Sequence, residues 1–144
     1  MALRVLVADD SPIVQQSIRE LLRSADVLSV LTAADGEEAV RLARETTPDV
    51  VILDYRMPGL NGVQAARLIR QASPEMPLIL LTASAAEHLI AIALRAGIRG
   101  YVLKRDAADD LIRALYAVRH GATYLSPGAS RVLYERYLPA TDVS

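Results

Sequence analysis

An α/β domain, with a parallel sheet covered by helices on both faces, is predicted by three features of the sequence. Short apolar runs of strand length alternate with longer stretches whose apolar residues recur at helical spacing. The short runs are rich in Val, Ile and Leu without polar alternation, as strands buried on both faces are. Gly, Pro, Asn and Asp stand between successive runs, where the chain has to turn. The 144 residues, 52% apolar and 23% charged, suit one soluble domain with its own core. Phe and Trp are absent, so Leu, Val, Ile and Ala must fill that core.

Leu3 to Ala8 reads as the first strand and ends in Asp9-Asp10. Ser11 then has the chemistry of an N-cap, with Pro12 at the first helical position and Ile13, Val14, Ile18, Leu21 and Leu22 in helical phase. Val27 to Ala33 is a second strand. Asp35-Gly36-Glu37-Glu38 opens a helix that stops before Pro48. Val50 to Asp54 is a third strand, four apolar residues closing on a carboxylate, and Pro58, Gly59, Asn61 and Gly62 punctuate the loop after it. Asn61 caps a third helix that ends near Pro74. Pro77 to Thr82 is a fourth buried strand, and an alanine-rich helix from Ala86 to Ala96 follows, with Gly97 as a left-handed C-cap. Gly100 to Lys104 is a short fifth strand, and Asp106 is the expected N-cap of a last long helix stopped by Gly121. Five βα units in this order predict a flavodoxin-like, doubly wound, five-stranded parallel sheet. That domain is expected to span residues 1–121. Residues 122–144 are expected to be a turn at Tyr124 to Gly128, a short amphipathic helix from Ser130 to Leu138 and a linker or tail.

Composition also excludes function classes. A net charge of −1 argues against a nucleic-acid surface, which needs a basic face. Cysteine is absent, which removes disulfides and thiolate metal sites and suits a reducing compartment. No apolar run has the length of a membrane span, and Met1-Ala2-Leu3-Arg4-Val5 has no signal-peptide layout, so a cytoplasmic protein is expected. His88 and His120 lack carboxylate or cysteine neighbours and read as helix-surface residues. Lys104 is the only lysine among 16 basic residues, a compact ammonium kept where arginine is used everywhere else.

The functional expectation comes from the strand ends, because ligands of open parallel sheets bind beyond the carboxyl ends of the strands where strand order reverses. Taken alone, Asp54 would be a turn cap, Thr82 a strand residue and Lys104 a solvated end. Together the first, third, fourth and fifth strands end in Asp9-Asp10, Asp54, Thr82 and Lys104, all directed at one mouth. At an effective dielectric of about 20, two like charges about 4 Å apart repel by about 4 kcal/mol, so three carboxylates there must bind protons or a cation. An oxygen-only set without His or Cys favours a hard ion, Mg²⁺ above all. Such a site suits phosphoryl chemistry, with an already ionised carboxylate as nucleophile, a hydroxyl donor and an ammonium.

On Asp9-Asp10, Asp54 with Met57-Pro58-Gly59, Thr82-Ala83 and Lys104, residues 3–121 resemble a response-regulator receiver domain of two-component signalling. Arg99 to Lys104, with Gly121 to Ser126, most resembles the NarL/LuxR-type branch. The resemblance implies that Asp54 accepts a phosphoryl group from a sensor histidine kinase. It implies Mg²⁺ held by Asp10, Asp54 and the Arg56 carbonyl, with Asp9 acting mainly through water. Thr82 and Tyr101 become a switch pair in which Tyr101 moves from exposed to inward, and Lys104 becomes the phosphate's counter-charge. A homodimer formed on phosphorylation is a further expectation. So is contact with DNA only through a helix-turn-helix domain beyond this chain. The expected activity is self-phosphorylation and dephosphorylation rather than turnover of a separate substrate. Arg105 departs from the family, many of whose members have a cis proline there.

Three rival readings differ at named positions. A phosphohydrolase of the haloacid-dehalogenase type wants a second carboxylate two residues after the nucleophile, where this chain has Arg56. A flavin or nucleotide module wants a glycine-rich phosphate loop after the first strand, where Asp9-Asp10-Ser11-Pro12 would repel an anion. A pseudo-receiver that acts only by protein contact would lack part of the acidic set. A stand-alone receiver acting by protein–protein interaction has the same site as an excised one.

Overall fold

In the computed structural model, which describes residues 3–137, the elements run β1 (Leu3–Ala8), α1 (Pro12–Leu22), β2 (Val27–Ala33), α2 (Gly36–Thr46), β3 (Val50–Asp54) and α3 (Gly62–Ala72). The second half continues with β4 (Leu78–Thr82), α4 (Glu87–Arg95), β5 (Gly100–Leu103), α5 (Ala107–Arg119), β6 (Tyr124–Leu125) and α6 (Pro127–Tyr137). All strand pairs are parallel, in the order β2-β1-β3-β4-β5-β6. The order reverses between β1 and β3, which puts the mouth of the sheet between those two strands.

Period-two alternation in the central strands divides the core into two layers. Leu6, Ala8, Val51, Leu53, Leu78, Leu80, Tyr101 and Leu103 face α2, α3, α4 and Ala129 of α6. Leu3, Val5, Val7, Val50, Ile52, Ile79, Leu81 and Val102 face α1 and α5. β3, β4 and β5 are buried at every position, as their unbroken apolar runs require.

The caps follow the sequence at four places. Ser11 accepts the Val14 N–H at 3.3 Å, and Asp35 accepts the Glu38 N–H at 2.8 Å. Asn61 and Gln64 form a reciprocal capping box. Gly97, at φ +96°, closes α4 with the paired bonds Ile98 N–H to the Ala93 carbonyl and Gly97 N–H to the Leu94 carbonyl.

Four expectations are corrected. Lys104 lies just past β5, as the first residue of a tight 3₁₀ turn, Lys104–Asp106. That turn leaves Asp106 with helical backbone angles rather than the extended ones of a capping residue, and its side chain does not cap α5. The stretch from Tyr124 to Gly128 is not a simple turn: Tyr124 and Leu125 add a sixth strand to the expected five, pairing with Gly100 and Tyr101. Two residues are too few for any periodicity to reveal. The helix expected from Ser130 begins at Pro127, and Leu138 with residues 139–144 lies outside the described residues. Among the described residues no peptide bond is cis, the one after Lys104 included.

Candidate functional site

The mouth is built by strands that end at the same level. Register aligns Ala8 with Leu53, Asp54 with Leu81, and Thr82 with Leu103, so Asp9, Asp54, Thr82 and Lys104 emerge side by side. One carboxylate oxygen from each of Asp9, Asp10 and Asp54 lies within 4.8 Å of the other two. Asp9 and Asp54 are buried, whereas Asp10 is exposed. Lys104 Nζ donates to Asp54 Oδ2 at 3.2 Å and to Asp9 Oδ2 at 3.3 Å, one ammonium bridging two carboxylates. Thr82 is buried on the next strand, and its Oγ1 accepts the Ser84 N–H at 3.3 Å. Asp10, Asp54, Arg56, Thr82, Ser84 and Lys104 line an open cavity of about 540 Å³.

The electrostatics follow from this crowding. Burial first, and the neighbouring Asp9 charge second, raise the Asp54 carboxyl above its ordinary 3.8, and the Lys104 ammonium only partly offsets them. Burial works to lower the Lys104 pKa, but the pull of Asp54 and Asp9 outweighs it and the net direction is upward. Both directions favour a shared proton or an added cation. The donor set is oxygen-only, with three acidic groups against one ammonium, and it fits a hard divalent ion better than any soft metal.

The structure brings Asp9, Asp10, Asp54, Thr82 and Lys104 together, with Arg56 exposed at the rim. Tyr101 takes one of its two expected positions. It is fully buried with its hydroxyl donating to the Ser84 carbonyl at 2.7 Å, so the inward position is occupied rather than the exposed one. The ring fills a gap in the α4-side core and the phenol finds a backbone acceptor there, which satisfies both ends of the side chain. Burial pushes the Tyr101 phenol well above its ordinary pKa. A second cavity of about 560 Å³ between α1 and α5 reaches Lys104, but it is walled by Val14, Ile18, Leu21, Leu81 and Ala107 and contains none of the three carboxylates.

Two supporting roles were not legible in the sequence. Gln15 Nε2 donates to the Asp9 carbonyl at 2.7 Å and so pins the loop that carries both acidic residues. A polar residue in inward phase with Ile18 and Leu22 was the available signal. Gly62 sits so close to β3 that a Cβ there would stand 2.3 Å from the Asp54 carbonyl oxygen. Only glycine permits α3 to start against the backbone of Asp54.

Comparison with known proteins bears on this geometry. Residues 5–116 match the family model of the response regulator receiver domain. The chain belongs to that family. The receiver is 37% identical over 126 residues to the transcriptional regulatory protein LnrK of Bacillus subtilis (strain 168), covering 87% of this chain and 57% of LnrK. It superposes with a TM-score of 0.90 on a two-component response regulator of the LuxR family from Aurantimonas sp. SI85-9A1. Identity there is 35%, and 94% of this chain and 98% of that chain are covered. It also matches the isolated receiver domain of RcsB from Salmonella enterica serovar Typhimurium, solved in the presence of the phosphomimetic BeF3−, with a TM-score of 0.83 at 29% identity. That match covers 92% of this chain and 99% of the RcsB chain. The receiver therefore spans a little over half the length of LnrK. Among the described residues no helix is long and apolar enough to cross a membrane.

Proposed function

We propose that this receiver is a phosphoryl-accepting switch in which Asp54 takes a phosphoryl group from a phosphohistidine of a sensor kinase. The observation that carries the proposal is Lys104 bridging Asp9 and Asp54 beside Asp10, with the Thr82 hydroxyl on the adjacent strand. An Asp54 oxygen attacks phosphorus, a P–O bond forms, the P–N bond breaks and the imidazole nitrogen leaves with its electron pair. Lys104 pairs with one phosphoryl oxygen and Thr82 donates to another, so the charge on the group is met by preset donors. Asp10, Asp54 and the Arg56 carbonyl, with Asp9 at longer reach, would hold Mg²⁺. When bound, that ion supplies the charge neutralisation that phosphoryl transfer needs.

Phosphorylation replaces a carboxylate by a group with more charge and more acceptors, and Thr82 turns toward it. Tyr101, bonded to the carbonyl of Ser84 in the cavity wall, then holds its inward place more firmly, a shift in population rather than a new fold. The receiver unit is assigned to residues 1–121, with residues 122–144 leading toward an output region. The output is regulation of transcription, as the name of LnrK suggests for that protein, with dimerisation on phosphorylation and a cytoplasmic location. Labelling with acetyl phosphate and Mg²⁺, read by intact mass, tests the acceptor. Wild type should gain one phosphoryl group and Asp54→Asn none. Equal labelling of the two would overturn the assignment.

A further inference from the structure

Ser126 immediately precedes α6, and its carbonyl accepts the Ser130 N–H at 2.8 Å, which is the N-cap position of that helix. A serine there ordinarily turns its hydroxyl to the first turn of its own helix. Here the fully buried Ser126 Oγ accepts the Leu103 N–H at 3.1 Å, while the Ser126 N–H donates to the Tyr101 carbonyl at 2.9 Å. One residue thus holds both polar groups that β5 presents to its β6 side between Tyr101 and its end. The side-chain oxygen stands where a third β6 residue would have offered a carbonyl. Leu103 is the residue before Lys104.

The other end of the Lys104–Asp106 turn is held from the same segment. Asp106 Oδ2 accepts the Gly128 N–H at 3.4 Å, so a carboxylate from outside lies at the amino end of α6, where negative charge is favoured. A Cβ on Gly128 would stand 2.3 Å from Leu103 Cδ1 and 2.7 Å from an Arg105 guanidinium nitrogen. The start of α6 therefore rests directly on the turn that aims Lys104. Ser126 thus serves β5 and Asp106 serves α6.

We propose that Ser126 is a positioning residue for phosphoryl transfer, fixing the peptide that leads into Lys104 and so the reach of its ammonium to Asp54. This rests on the acceptor role of Asp54 proposed above. Without the hydroxyl, the Leu103 N–H is a buried donor with no acceptor, and the turn relaxes to find one. Small displacements of a charge-bearing group lower the rate of transfer steeply.

The test is a double-mutant cycle on the rate of phosphorylation by acetyl phosphate at saturating Mg²⁺, with Mg²⁺ affinity read from intrinsic tyrosine fluorescence. Loss of one buried hydrogen bond predicts that Ser126→Ala slows labelling by about fivefold to tenfold. Mg²⁺ affinity should stay within about twofold, because the carboxylates keep their places. In a Lys104→Met background Ser126→Ala should slow the residual rate by less than about twofold, since the positioned group is gone. Equal slowing in both backgrounds, or none in wild type, overturns the inference. If Ser126→Ala does not fold, amide exchange at Leu103 in wild type decides. A change in protection on adding Mg²⁺ and beryllofluoride supports the inference and no change overturns it. Wild type that takes no label would sink the acceptor role of Asp54, and the inference with it. Labelled wild type indistinguishable from Ser126→Ala would sink the inference alone.

Discussion

At the mouth, three carboxylates crowd together and one ammonium bridges two of them; along the seam where β6 and α6 join β5, donors and acceptors are matched one to one. Tyr124 donates to the buried Asp110, Ser126 accepts from Leu103, and Gly128 donates to Asp106. The mouth gathers like charges that cost stability, and the seam satisfies donors that would otherwise cost it. Both belong to one sheet, and through Leu103 and Asp106 the seam holds the turn that starts at Lys104. The contrast separates residues kept for chemistry from residues kept for placement.

The largest expected effect breaks the mouth through its backbone. Gly62→Ala pushes a methyl group into the Asp54 carbonyl, and overpacking at so short a distance should destabilise by about 3 kcal/mol. Urea unfolding measures this directly, and a loss within experimental error would show that α3 can shift away from β3 freely.

On the seam, Tyr124→Phe leaves the Asp110 carboxylate without its phenol donor. Burial and then this bond raise the Tyr124 pKa, so the phenol is held as a neutral donor. Loss of a hydrogen bond to a charged acceptor should cost about 2 kcal/mol by chemical denaturation. Acetyl phosphate labelling at Asp54 should change little, because Asp110 lies away from the mouth. A variant as stable as wild type would make the seam decorative.

Asp54→Asn should act in the opposite direction. It removes one of the repelling charges and should stabilise the metal-free protein by about 1 kcal/mol near neutral pH. The sign with pH follows from the raised folded-state value. Between 3.8 and that value the folded protein binds more protons than the unfolded chain, so this contribution to stability falls as pH rises. Above both values the penalty is complete. The advantage of Asp54→Asn over wild type should therefore grow from about pH 4 upward, and saturating Mg²⁺ should shrink it. An advantage that is flat across pH would remove Asp54 from the crowded set.

Arg56→Ala should have the smallest effect. The side chain is exposed at the rim, two residues beyond the acceptor, in a cavity that the smaller Ser84 also lines. Stability should hold within about 0.5 kcal/mol, as for other surface substitutions. The decay rate of the Asp54 phosphoryl group should change by a few-fold without loss of labelling. Identical decay curves would show that Arg56 does not screen attacking water.

The strand-end residues could be read in advance because their positions depend on local pattern alone. A β-branched run closing on Asp54, punctuated by Pro58 and Gly59, sets both the strand and its end. Asp106 shows where such reading stops. Its place before a helix made it a cap, yet which helix it serves depends on a residue 22 positions away. Tyr101 is similar: its side chain could point either way until the core beside Leu80 and the Ser84 carbonyl were in place.

The order of the first five strands and their helices, the two buried layers and the set of groups at the mouth were determined by the sequence itself, since period, caps and turn residues act over a few positions. Tertiary structure alone decided that Lys104 bridges two carboxylates, that Gly62 must remain bare against Asp54, and that Ser126 serves β5 while Asp106 serves α6. Those outcomes rest on contacts between segments far apart in the chain. No local propensity encodes them, because each depends on which donor or acceptor the folded sheet brings within reach.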